Sequence, residues 1–301
     1  MLKIISFLLF AVFNFSFADV AFKKFKFSKD FVSFVYNKKL YLSSKSGFFV
    51  EKDDSLVPFL KRKNEFKTYF GVNSNKLVFA NSYLFLVSYS FEGKAKENTY
   101  PLSSVPFFDF ISFKDGFIFL NNDGSIYSFD CDLNLFWVNR SNLNDNPFFE
   151  SKLFLNENNL YFVEKNKVVV IDARTGEDMF DIEKPFGAWN IFFDDNNVYL
   201  ETDFDTYILE GNSFKKLDTK SYFTNSVCYK LEKNKLYNID EEVDKVVSFN
   251  SYIFAYNKNS LFIIKGNKIE KIKKDFDIKK ITFSNGVLII FDGKYIRKTE
   301  L

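Results

Sequence analysis

GFIFLNNDGSIYSFDCDLNLFW (residues 116–137) and LYFVEKNKVVVIDARTGEDMF (residues 160–180) are two consecutive copies of one pattern. Each has an apolar run, a polar turn, a second apolar run ending in Asp, a short linker and an aromatic residue. Asp130 is therefore equivalent to Asp172, and Trp137 to Phe180. Degenerate copies of the first apolar run begin near Leu40, Leu77, Phe117, Leu160, Val198, Val227, Tyr252 and Val287, at intervals of 25 to 43 residues. A recurrence of about 20–50 residues belongs to propellers, solenoids or repeat arrays.

The runs are short, rich in Phe, Tyr, Val and Ile, and bounded by Asn, Asp and Gly, as in Asn121-Asn122-Asp123-Gly124. Such residues form strands joined by tight local turns, so neighbouring strands are antiparallel. Residues 160–163 and 168–171 are apolar on both faces, as in a sheet packed between two like sheets, the situation of a propeller blade. The expectation is an all-β chain: a single β-propeller domain over residues 19–301, built of four-stranded antiparallel blades. Eight blades are favoured, with seven the alternative if the compressed segment 222–246 is an insertion and not blade six. The last copy, residues 278–301, ends one strand short, and a spare strand lies at residues 20–27. Pairing of residues 21–27 with the sheet formed by 281–297 would close the ring without leaving a free edge.

Residues 1–18 read as an export signal: Lys3, an apolar run over 4–13, and Ser16-Phe17-Ala18 ahead of a cleavage between Ala18 and Asp19. The alternative is an uncleaved anchor, which the shortness of the run opposes. No Cys lies near the cleavage point, so the expectation is a periplasmic protein that is not a lipoprotein. The 43 Phe, with many Lys, Asn and Ile, suggest an AT-rich bacterial genome. The net charge of +2 gives no global bias toward nucleic acid, and the absence of His removes imidazole bases, imidazole metal ligands and Ser-His-Asp triads. Cys131 and Cys228 belong to no CxxC pair and, in blades three and six, are expected to stay unjoined.

The third and fourth repeats resemble quinoprotein-type (PQQ-like) propeller repeats. In those repeats a strand ends in Asp and is followed by a Thr-Gly turn and a Trp. Asp172, Thr175 and Gly176 match, with Phe180 in the Trp position; Asp130 and Trp137 match in the preceding copy, where Asn134 replaces the Gly. The resemblance implies structural roles for these six residues. It divides into quinone-dependent dehydrogenases, which are longer and often carry adjacent cysteines, and a non-catalytic, BamB-like branch of envelope scaffolds. This chain is short and has no adjacent cysteines, so the non-catalytic branch is the better match, with no cofactor implied.

The Asp closing each third strand (Asp130, Asp172, Asp240) reads as a turn carboxylate, with a catalytic role the alternative. Trp137 and Trp189 read either as packing between blades or as platforms for a sugar or peptide. Asp194-Asp195 and Asp203-Phe204-Asp205 suggest a hard-metal site, since calcium takes several oxygen ligands, but they lack the calcium-loop pattern with its Gly and final Glu; loop acids are the favoured reading and no metal is expected. Charge is uneven: residues 172–210 hold 11 acidic and 2 basic residues, and residues 258–301 hold 11 basic and 5 acidic. The basic end, with Lys23, Lys24, Lys26 and Lys29, is either a docking face for an anionic partner or membrane surface, or a set of solvated edges. The function expected is a non-enzymatic, monomeric scaffold binding an envelope or periplasmic protein. A small-molecule or glycan-binding sensor is the alternative, and a PQQ-dependent dehydrogenase a more distant one.

Overall fold

A computed structural model describes residues 20–22 and 31–301, except 45–46, 54, 62–68, 74, 93–95, 108–109, 141–152, 165, 195–196, 225–226, 233–234, 237–238, 240, 250–251, 285 and 294. Its strands form eight antiparallel sheets, seven of four strands and one of three, and no helix occurs among the described residues. Blade one covers residues 32–61, blade two 70–101, blade three 111–139, blade four 154–183, blade five 190–216, blade six 221–236, blade seven 245–273 and blade eight 280–300. The seven-blade alternative is excluded.

Blade six departs from the four-stranded expectation. It holds Ser221–Thr224, Val227–Glu232 and the two-residue strand Lys235–Leu236. A single antiparallel bridge, Lys235 to Glu242, stands where a fourth strand would run. The chain here is too short for another hairpin. Leu236, Ile239 and Val243 instead turn inward and pack on Ile253, Ala255 and Phe262 of blade seven.

The ring closes through its ends. Val20–Phe22 pairs with Ile296–Glu300, so blade eight runs from inside outward as 280–284, 287–291, 296–300 and 20–22. The part of the expected closing strand at residues 23–27, and the cleavage point at Ala18 and Asp19, lie outside the described residues. Blade eight is also tied to blade one by Lys298, whose Nζ lies 3.0 Å from both Glu51 oxygens and donates to the Lys38 carbonyl.

The blades hold together by burying apolar faces against each other. Phe119, Tyr127 and Phe129 of blade three stack at centroid distances of 5.7–6.1 Å, with Phe110 at 4.5 Å from Phe119. Each such ring contributes about 1.5–3 kcal/mol by leaving water. Gly71, on the innermost strand of blade two, receives the Phe117 ring edge where a Cβ would sit 2.5 Å away.

Between blades five and six the packing is mixed. Tyr199 stacks on Phe223 at 4.2 Å, beside the buried carboxylate of Glu201. That carboxylate accepts from the Tyr222 hydroxyl and Asn190 Nδ2, both at 3.0 Å, and pairs with Lys220 Nζ at 3.1 Å. Burial, then the Glu201 charge, pushes the Tyr222 phenol far above its ordinary value.

Candidate functional site

Strand direction alternates within each blade. The inter-blade connections and the turns between second and third strands therefore share one face of the ring, here called the connection face. The remaining turns form the opposite face. The exposed large apolar side chains divide sharply. Tyr83, Leu84 and Phe85 (the 81–85 turn), Val105 (the 102–110 connection), Phe186 and Trp189 (the 184–189 connection) and Phe204 (the 202–205 turn) all lie on the connection face of blades two to five. The others, Leu135, Phe136, Met179, Phe180 and Ile269, sit near the starts of outermost strands. The turns of the opposite face expose none among the described residues.

The connection-face rings are carried on fixed turns. In the 202–205 turn, Thr202 Oγ1 accepts from the backbone N–H of Phe204 (3.2 Å) and of Asp205 (2.9 Å). Lys220, held by Glu201, donates to the carbonyls of Thr202 (3.0 Å) and Asp203 (2.8 Å). These bonds leave Phe204 outside, 83% exposed. Phe186 is fully exposed and Trp189 is 45% exposed. Their connection is fixed by the Trp189 N–H donating to the Glu201 carbonyl (3.0 Å) and by Lys184 Nζ donating to the Ala188 carbonyl (3.2 Å). In blade two, Asn81 Oδ1 accepts from the N–H of Tyr83 (2.9 Å) and Phe85 (3.1 Å). Leu84 there adopts φ +60, a left-handed conformation costly for a branched side chain.

Around the blade-four and blade-five rings the charge is acidic. Asp181 pairs with Lys167 (2.7 Å) and Asp205 with Lys216 (2.9 Å). Glu183, three residues before Phe186, and Asp203, next to Phe204, are exposed and hold no ion pair among the described residues. An open depression of about 550 Å³ lies beside Phe186, lined by Asn166, Lys167, Asp181, Glu183 and Lys184.

The repeat-motif residues form a different constellation, on the opposite face. Asp130 accepts from the N–H of Asp132 and Asn134, both at 2.8 Å. Asp172 accepts from the Arg174 N–H at 2.8 Å and from its guanidinium at 2.5 Å. The Arg174 side-chain and backbone hydrogen bonds hold the Asp172 carboxyl down at about 2. Thr175 Oγ1 accepts from the Glu177 N–H (3.3 Å). Trp137, 9% exposed, reaches across to blade four: its Nε1 donates to the Ala173 carbonyl at 3.1 Å and its ring lies on Gly176. Phe180 stands in the same register, beside an equivalent bulge, yet is 43% exposed. Blade five turns there through Gly211 in a two-residue hairpin and offers no Thr-Gly turn to receive it. Asp240 lies outside the described residues.

The acids read as a possible hard-metal set are separated. Asp194 ends the innermost strand of blade five on the opposite face, and Asp203 and Asp205 stand on the connection face. The strand Asn197–Glu201 lies between them, about 17 Å long at ~3.3 Å per residue. Asp195 lies outside the described residues. Both cysteines are free: Cys228 is exposed, and Cys131 is half-buried with its thiol pushed up to about 11 by burial and by Asp130. In the basic sector, Lys298 pairs with Glu51, Lys271 with Glu241, and Lys38 with Glu300 at 2.7 Å, while Arg297 lies over the Phe276 ring at 4.1 Å. Lys298 and Lys271 thus join their blades to the neighbouring ones.

The sequence singled out Trp189 but not Phe186, Phe204 or Tyr83. For Phe186 and Phe204 the signal is an aromatic residue inside a polar turn, whereas Tyr83 opens the apolar run of residues 83–87 and carries no such signal.

The fold is that of an eight-bladed β-propeller. The crystal structure of BamB from Moraxella catarrhalis is similar to this chain, with a TM-score of 0.61 at 11% identity, covering 92% of this chain and 100% of that one. The computationally designed Ika8 protein is similar with a TM-score of 0.62 at 9% identity, over 92% and 98%. In all, 1282 solved chains match, so the architecture is common and does not by itself select an activity. No family model matches the sequence, and no curated protein does.

Proposed function

We propose that this protein is an exported, non-enzymatic scaffold of the bacterial cell envelope that binds a protein partner through its connection face. The observation that carries this reading is the sidedness of the exposed rings. Seven large apolar residues from blades two to five project on one face, several on turns fixed by side-chain hydrogen bonds. Large aromatic side chains held rigid before binding are the groups that dominate interface energies. The recurrent carboxylates are already engaged in turns, and the Cys131 thiol is raised away from thiolate chemistry, which supports binding over turnover. The placement in the envelope rests on the signal-like residues 1–18 and on the likeness to BamB. In the basic sector, Lys258, Lys268 and Lys273 hold no ion pair among the described residues and are the part available to a membrane surface.

The test is chemical crosslinking and affinity capture from the native envelope with the wild-type protein and with Phe186→Asp and Phe204→Asp. These side chains are exposed, so both variants should melt like wild type while losing a partner that wild type captures. Unchanged capture by both variants rejects this face. Copurification with a stoichiometric quinone and reduction of a dye by an alcohol or sugar rejects the scaffold reading itself.

A further inference from the structure

We infer that the blade-four and blade-five part of the connection face binds a cationic protein segment, one whose Arg or Lys side chains lie on Phe186, Trp189 and Phe204 and pair with Glu183 and Asp203. The inference rests on the scaffold reading and adds the chemistry of what is bound. Apolar exposure alone fits any hydrophobic partner, but the surroundings here are selective. Toward the connection face of blades four and five lie Asp181, Glu183, Glu201, Asp203 and Asp205, against Lys167, Lys184, Lys216 and Lys220, and Lys220 is held by the buried Glu201. The nearby acids Asp181 and Asp205 are matched by Lys167 and Lys216. Glu183 and Asp203, nearest in the chain to the exposed rings, are not matched among the described residues.

A guanidinium or ammonium group lies favourably over an aromatic face and gains a charge-assisted hydrogen bond from a carboxylate. Here both kinds of group stand side by side. The depression beside Phe186, about 550 Å³, is lined by Asp181 and Glu183 together with Lys167, which is paired to Asp181, and Lys184, whose Nζ donates to the Ala188 carbonyl; it has room for a long side chain beside the unpaired Glu183. The same charge repels nucleic acid and anionic lipid, so this patch and the basic sector of blades seven and eight are suited to different contacts. Lys220 gives the site its rigidity, because it carries its charge into the buried Glu201 pair while its protons fix the Phe204 turn.

The experiment is fluorescence anisotropy on the full chain with two labelled peptides of equal length, one alternating Arg and Ser, the other Glu and Ser. The Arg peptide should bind, with affinity falling as salt is added, and the Glu peptide should not. Phe186→Ala with Phe204→Ala, and separately Glu183→Lys with Asp203→Lys, should each weaken the Arg peptide about tenfold or more. Glu177→Lys, an exposed acid on the opposite face, should leave affinity within about twofold; this separates a site from a general acidic field. Melting curves confirm that each variant is folded. Equal binding of the two peptides, or an equal loss with Glu177→Lys, overturns the inference. If a native partner crosslinks through Phe204 but the Arg peptide does not bind, the inference fails and the scaffold reading stands. If neither occurs, both fail.

Discussion

Trp137 and Gly176 show how a single repeat position joins two blades. The indole sits where a Cβ on residue 176 would fall 2.5 Å from its ring, and Gly176 has φ +75. Gly176→Ala therefore meets both a clash and a strained backbone, and Trp137→Ala empties a buried site at a cost of about 3–5 kcal/mol. Phe180→Ala, at the matching position with no turn to receive it, should cost about 1 kcal/mol or less. Equal losses in urea denaturation for Trp137→Ala and Phe180→Ala would contradict the account of how the repeat docks. Asp172 predicts a pH dependence. Its folded value of about 2 lies below the ordinary 3.8, so its contribution is present above pH 3.8 and is lost as pH falls toward 2. The stability advantage of wild type over Asp172→Asn should shrink through that window; a constant difference between pH 6 and pH 2 would refute it.

At the scale of elements, ring closure was legible in the sequence because its logic is one of counting. Blade eight ran out of chain one strand short and an apolar strand stood unused at the other end. The second strands of all eight blades begin within one residue of the positions read from the apolar runs. Period-two patterning and turn residues act locally, so they show in a single sequence. Blade six was harder to read because its outer part is specified by packing of Leu236, Ile239 and Val243 on blade seven, which leaves no strand pattern. Lys298 and Glu51 were equally hidden, being 247 residues apart. The pair is largely buried, so removing one member leaves the other charge uncompensated, at about 3–5 kcal/mol. Glu51→Ala should lower the melting temperature markedly, and Glu51→Leu with Lys298→Met should recover part of the loss. Deleting residues 19–28 should also lower it well beyond the effect of a frayed terminus. An unchanged melting temperature after that deletion would mean that Val20–Phe22 does not seal the ring.

For the whole molecule, the division of labour between charge and aromatic surface emerges only from the closed ring. The sequence showed an acidic middle and a basic end, but not that Lys298, Lys271 and Arg297 are spent between strands and blades while Glu183 and Asp203 face outward. It also could not show that Tyr83, Phe186 and Phe204 share a face, since that follows from the alternating direction of strands in three different blades. Phe204 stands between two acids that suggest a metal loop when read along the chain, and in the fold it is the ring that projects. The central claim, that the protein acts by docking a partner on this face, is tested most directly by placing a photo-crosslinking amino acid singly at positions 186, 204 and 177 in the living cell. The account predicts one and the same protein adduct from positions 186 and 204 and none from position 177. The same adduct from all three positions, or adducts from position 177 alone, would contradict it.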